Sequence, residues 1–206
     1  MRDSVAAFVL AGGRSWRMGQ DKAFLELGGE TLLTRALALA ATVTDEVRIA
    51  GSLQKFLPFG RVVEDIFPGQ GPMAGIHAAL RTSGADLNLM LAVDLPFVES
   101  EFLNYLLSSA SQCGAAVTVP RTASGWEPLC AVYRREFADV AERALQKGKN
   151  RIDALFGQVE VRAISEAELE RMGFSSEMFR NINTPEEFEH ARLKLSLSAR
   201  SGHEPS

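Results

Sequence analysis

The sequence is poor in the residues from which metal, redox and covalent sites are usually built. Its two cysteines, Cys113 and Cys130, stand far apart and outside any Cys-x-x-Cys spacing, so neither a zinc site nor a disulfide framework is signalled. Both read as buried apolar fillers. The three histidines, His77, His190 and His203, each stand alone, which argues against a histidine metal trio or a serine-type triad. No apolar run approaches the ~18 residues that would span a bilayer. Met1 to Ala11 lacks a separate apolar segment ending at a small-residue cleavage site, so a cytoplasmic protein without membrane contact is expected. Positive charge is short as well: 22 Lys and Arg against 26 Asp and Glu leave a net charge of −4. No broad positive field would draw in a nucleic acid, and any phosphate recognition has to be local.

What is present fits an ordinary folded domain. With 206 residues, 46% hydrophobic and 23% charged, the chain can bury one substantial core but is short for two. One domain over residues 1–199 is expected, with 200–206 as a frayed tail. Apolar runs alternate with helical patterns, which predicts a single-domain α/β fold, a three-layer α/β/α sandwich around a mostly parallel, Rossmann-like sheet. Strands are expected at Val5 to Leu10, Val47 to Ala50, Val62 to Val63, Leu87 to Val93, Ala115 to Val119 and Leu129 to Tyr133. Helices are expected at Thr31 to Ala41, 73–82, Ser100 (as N-cap) to about Ser109, and 135–146 with Gly148 as the stop; a last one begins near Pro185, capped by Thr184. Leu87 to Val93 is the most strand-like run and should lie at the centre of the sheet.

Directly after the first strand comes Leu10-Ala11-Gly12-Gly13-Arg14-Ser15-Trp16-Arg17-Met18-Gly19-Gln20-Asp21-Lys22. Glycines let a backbone approach a phosphate closely, and Arg17 and Lys22 can neutralise a polyphosphate, so the chemistry suggested is triphosphate binding. Neither the P-loop pattern nor G-x-G-x-x-G fits. Spacing alone also allows a solvated strand-to-helix connection. Leu-Ala-Gly-Gly, then Arg-Met-Gly and Asp-Lys, resembles the signature of the molybdenum cofactor guanylyltransferase family. Val63-Glu64-Asp65, Pro68 to Gly75 with Met73 in place of a common Leu, Asp94-Leu95-Pro96, Glu127-Pro128-Leu129 and Asn181 to Glu187 keep step with it over roughly residues 5–192. One departure stands at Ile49-Ala50-Gly51, where some relatives place a nucleotide-contacting Asn that Ala50 cannot replace with its side chain.

The resemblance implies a nucleotidyltransferase that joins GMP from GTP to molybdopterin with Mg²⁺ as cofactor. It implies nucleotide contacts from Leu10, Ala11, Gly12, Gly13, Lys22, Asp65 and Asp94. Asp94 is also placed by general rules. It follows the central strand, and ligands of open α/β sheets sit beyond the carboxyl ends of strands. One hard carboxylate there suits Mg²⁺, which completes its octahedron with water and phosphate oxygens. Read alone, Asp94 and Asp65 are also ordinary turn residues. On the acceptor side, Trp126 and Glu127 fit the wall of a pocket for a flat, polar pterin, although Gly125 to Leu129 reads equally as a proline-containing turn. Asn183 is the better candidate of the Asn181-Ile182-Asn183 pair, lying nearest a helix start. Lys147, Lys149 and Arg151 crowd a helix end, where cations favour the macrodipole without any ligand.

The chemistry expected is in-line attack by a terminal phosphate oxygen of molybdopterin on the α-phosphorus of GTP, with Asp94 holding the metal and Arg17 and Lys22 offsetting charge. Rival readings are a cytidylyltransferase on the same pterin, a nucleotidyltransferase on another small phosphorylated acceptor, and a non-catalytic nucleotide-binding module. Gly12, where cytosine-using relatives look like Leu-Ala-Ala-Gly, favours GTP over CTP. Transient contact with proteins that deliver molybdopterin or take up the product also follows from the resemblance.

Overall fold

The computed structural model describes residues 3–12, 21–184 and 186–193. Its strands are β1 (Val5–Leu10), β2 (Glu26–Leu27), β3 (Glu30–Thr31), β4 (Val47–Ala50), β5 (Val62–Val63), β6 (Leu87–Ala92), β7 (Val117–Thr122), β8 (Gly125–Trp126), β9 (Cys130–Tyr133) and β10 (Val161–Ser165). The α-helices are α1 (Leu32–Ala41), α2 (Leu53–Phe56), α3 (Pro72–Thr82), α4 (Ser100–Ser111), α5 (Phe137–Leu145) and α6 (Glu166–Arg171). Residues 186–193 are helical as well.

The main sheet runs β10-β7-β9-β6-β1-β4-β5, with β8 paired to β7 and a separate β2–β3 hairpin. β6 lies at its centre, in keeping with its continuous burial: all six residues are buried. The one polar member, Asn88, is reconciled with that by donating its side-chain N–H to the Tyr133 carbonyl at 3.2 Å. Pairing is parallel between β4 and β5, β1 and β4, β1 and β6, and β7 and β10. It is antiparallel where β9 meets β6 and β7.

Strand side chains alternate between two cores, which defines three layers. Ala7, Val9, Leu89 and Leu91 pack with α1, α4 and α6 on one face. Ala6, Phe8, Leu10, Met90 and Tyr133 pack with α3 and α5 on the other. α1 presents Leu32, Leu33, Ala36 and Ala40 to the core at helical spacing, and Thr31 caps it by accepting the Thr34 N–H. α5 ends at the expected stop: Gly148 has a positive φ of 66°, and the Lys149 N–H returns to the Ala144 carbonyl. A side chain at Gly148 would strain that turn.

Three expectations need correction. Ser100 is the first residue of α4 and Glu99 holds the cap position without a side-chain bond, because the Ser100 hydroxyl donates to Glu101 instead. The strand expected from Ala115 begins at Val117 and runs on to Thr122, carried by its pairing with β10. Cys130 is buried but Cys113 is partly exposed, its sulfur near the Ala110 carbonyl and the Thr118 hydroxyl at the end of α4. Among the described residues no helix is long and apolar enough to cross a membrane. Pro185, the end of the last helix and the expected tail lie outside the described residues.

Candidate active site

The chain leaves β1 for β4 and β5 on one side, then returns to β6 on the other. That reversal opens a crevice beyond the carboxyl ends of β1 and β6, where open α/β sheets bind ligands. The Val93 N–H bonds the Leu10 carbonyl at 3.2 Å, so the exits of the two strands are tied together. One leads into the glycine-rich loop and the other into Asp94.

Lys22 closes the crevice. The short 3₁₀ turn Lys22–Phe24 is started by Asp21, whose carboxylate accepts the Ala23 N–H. From there the Lys22 ammonium donates to Asp94 Oδ2 at 3.2 Å and to Asn183 Oδ1 at 2.5 Å. The Asp94 carbonyl accepts the Ile182 N–H at 3.2 Å, and buried Ile182 anchors the segment that presents Asn183. Thr184 caps the following helix as expected: its hydroxyl accepts the Glu187 N–H, and Glu187 accepts the Asn183 and Thr184 N–H groups in return. The Lys22 and Asp94 side chains are only 18% and 19% exposed, so their attraction is screened less than that of a surface pair. Three of the expected site residues, far apart in the chain, therefore meet within hydrogen-bonding distance.

The residues expected on the nucleotide side run from β1 toward β5. The Leu10 and Ala11 side chains are buried, the Leu10 carbonyl is engaged by Val93, and the Ala11 N–H reaches the Ala50 carbonyl at 3.0 Å. These two residues shape the strand end and leave Gly12 exposed beyond it. The Ala50 carbonyl also takes the Gly12 N–H at 3.2 Å, and Gly51 donates to the Val63 carbonyl, so the backbone at the Ala50 departure is already occupied in shaping the loop. A Cβ at Gly51 would come within 2.8 Å of the Phe56 ring, whereas one at Gly12 would approach nothing closer than the Ala50 carbonyl at 3.8 Å.

Asp65 follows β5, three strands from β6 in the sheet order, and its carboxylate lies beside Gly75 of α3. Half-burial raises its carboxyl above the usual range, with neighbouring Glu64 adding to the shift. Gly13 and Arg17 lie outside the described residues.

On the opposite side of Asp94, the Leu129 carbonyl accepts the Ala92 N–H at 2.8 Å, which fixes the turn carrying Glu127 against the end of β6. Glu127 is half-buried, and loss of water pushes its pKa up to about 7, against the pull of a weak bond from the Thr122 hydroxyl. Trp126 lies edge-on to Phe156, with ring centres 5.1 Å apart. The helix-end cations are elsewhere: Arg151 pairs with Asp153, and Lys147 and Lys149 are exposed.

Two residues not singled out in the sequence stand near the expected ones, one on each side of the crevice. Arg121 lies over the Trp126 ring, 4.8 Å from its centre, because the two are partners in the β7–β8 hairpin. An Arg and a Trp flanking Thr-Ala-Ser-Gly was the available signal. Lys55 forms an ion pair with Asp21 and packs over Phe24 and Phe56, and no local pattern announced that contact. For a metal, the described residues hold no cluster of three His, Cys, Asp or Glu. Asp94 keeps one carboxylate oxygen beside the one that Lys22 engages, which fits a hard cation sharing the rest of its shell with phosphates and water.

Residues 7–162 match the model of the MobA-like NTP transferase domain. A molybdenum cofactor guanylyltransferase of Desulfosudis oleivorans is 36% identical, the match covering 94% of this chain and 96% of that protein. The crystal structure of molybdopterin-guanine dinucleotide biosynthesis protein A from Archaeoglobus fulgidus superimposes with a TM-score of 0.82 at 27% identity, over 93% of this chain and 99% of that one. A 2-C-methyl-D-erythritol 4-phosphate cytidylyltransferase from Thermus thermophilus shares the fold at a TM-score of 0.68 and 19% identity, covering 95% of this chain and all of that one (100%).

Proposed function

The chain belongs to the MobA-like NTP transferase family, and from that premise we propose that it transfers GMP from GTP to molybdopterin, releasing pyrophosphate and forming the guanine dinucleotide of the cofactor. The observation that carries this reading is the Lys22–Asp94–Asn183 cluster at the crevice between β1 and β6. It combines a cation for phosphate oxygens, a carboxylate for a divalent metal, and a polar side chain that orients the lysine.

In the reaction, a terminal phosphate oxygen of molybdopterin attacks the α-phosphorus of GTP, the bond to the bridging oxygen breaks, and pyrophosphate leaves with that electron pair. No protein nucleophile is needed. Lys22 offsets charge that builds on the phosphoryl oxygens, Arg17 joins it, and Asn183 holds the Lys22 ammonium in place; such preorganised charge supplies most catalysis in this chemistry. Asp94 would hold a divalent cation, Mg²⁺ in our reading, which when bound screens the phosphates and aligns them. The backbone of Leu10 to Gly13 and Asp65 serve the nucleotide, and Glu127 serves the acceptor. Residues 1–199 form the transferase domain and 200–206 its tail, and the enzyme works in the cytoplasm with transient contacts to proteins that deliver molybdopterin or receive the product.

The test is pyrophosphate release with purified molybdenum-bound molybdopterin and each nucleoside triphosphate in turn, with the product identified by mass. GMP addition is expected. A mainly cytidylated product would overturn the base assignment, and no product with any triphosphate would overturn the transferase reading.

A further inference from the structure

Within the described residues, Glu127 is an acid without a counter-charge. Among the described residues it takes part in no ion pair, and its side-chain contact is the weak one at 3.4 Å from the Thr122 hydroxyl. The surrounding elements add no cation to it. Arg121 of β7 is turned over the Trp126 ring, and Glu166 of α6 accepts the Ala123 N–H. From β9, the Cys130 thiol is fully buried, and the Tyr133 hydroxyl donates to the Pro128 carbonyl. Phe156, which packs against Trp126, carries no charge. Removing a carboxylate from water without giving it donors is unfavourable, so a fold that keeps one here leaves room for N–H groups from outside the chain.

Position narrows what those groups belong to. The connection carrying Glu127 is bonded through Leu129 to the end of β6, on the β9 side of Asp94, whereas the glycine-rich loop leaves β1 on the other side. The two substrates of a transfer at Asp94 must approach from different sides, and the nucleotide's side is taken by the loop. The β7–β8 register turns Glu127 to the face of Thr122, and Trp126 with Arg121 to the opposite face.

We propose that Glu127 selects the acceptor by accepting two N–H groups from a 2-amino-4-oxopyrimidine edge, the edge a pterin presents. This rests on the functional reading above. Guanine carries the same edge, and the strand order assigns Glu127 to the pterin rather than to GTP. Only the charged carboxylate can accept both N–H groups, so acceptor binding follows the deprotonation of Glu127.

Steady-state kinetics with purified molybdenum-bound molybdopterin and GTP between pH 5.5 and 8.5, together with GTP binding measured without acceptor, test the assignment. Glu127→Gln is expected to raise the KM for molybdopterin roughly tenfold to a hundredfold at pH 8, the loss of a charge-assisted contact, and to leave GTP affinity unchanged. In the unmodified enzyme the acceptor KM should climb about tenfold per pH unit below pH 7, as single-proton linkage requires, and the Gln variant should be flat. The unmodified enzyme's profile needs no variant to fold. An unchanged acceptor KM in the variant, a flat profile in the unmodified enzyme, or a loss confined to GTP would overturn the assignment while transfer itself persists. Absence of transfer by the unmodified enzyme would instead overturn the functional reading, and this assignment with it.

Discussion

Lys22 and Glu127 stand on opposite sides of the central strand's exit and are treated in opposite ways by the fold. Lys22 is met by Asp94 and Asn183 before any ligand arrives, whereas Glu127 sits half-buried with, among the described residues, only a distant hydroxyl. The difference separates two ways of preparing a site. A charge answered inside the chain holds geometry for a reaction and costs the fold little. One left unanswered destabilises the free protein and reserves its interactions for a ligand.

The comparison breaks first at Asp94. Asp94→Ala should lower turnover by about a hundredfold to a thousandfold, the usual scale for removing a preorganised charge-stabilising group, while circular dichroism shows an intact fold. Near-normal turnover in such a folded variant would remove Asp94 from the chemistry. Lys22→Ala comes next. Loss of a charge-assisted phosphate contact of about 1.5–3 kcal/mol predicts a tenfold to hundredfold drop in kcat/KM for GTP, and an unchanged value would reduce the lysine to a structural partner of Asp94.

Two glycines a strand apart sharpen the contrast between shape and recognition. Gly51→Ala places a methyl 2.8 Å from the Phe56 ring and should cost about 1–3 kcal/mol in denaturant unfolding. Gly12→Ala makes only ordinary contacts at 3.8 and 3.9 Å and should stay within about 0.5 kcal/mol. Its expected effect is on the choice between GTP and CTP, because the methyl narrows space beside the base. A Gly12→Ala variant with unaltered preference would place guanine selection elsewhere.

The smallest effect belongs to Glu127 and concerns stability alone. Its folded pKa is raised from 4.5 to about 7, so its burial is tolerated in full below pH 4.5 and the associated stability is lost as pH rises through 7. The Tm of the unmodified protein should therefore fall relative to Glu127→Gln between pH 5 and pH 8. A gap between the two that does not change with pH would mean that the carboxylate is well solvated in the fold.

How much could be read in advance depended on the range of each interaction. Asp94 was legible because a strand buried on both faces announces itself by its apolar content and ends where the carboxylate stands. The Thr184 cap and the Gly148 stop were legible because capping is settled within a few residues. The start of α4 was misplaced by one residue, because the Ser100 hydroxyl had a second local partner in Glu101. The antiparallel course of β9 had no local signature: Cys130 to Tyr133 is buried throughout and reads the same in either direction.

By itself, then, the sequence determined the layered α/β class, most of the elements, the loop after β1 and the carboxylate after β6, all of which follow from periodicity and short motifs. Tertiary structure alone decided that Lys22 meets Asp94 across 72 positions and Asn183 across 161. It also decided that Glu127 has no cation partner among the described residues. These depend on strand order and on which side chains fill a common space, and no stretch of chain short enough to show a pattern contains both partners.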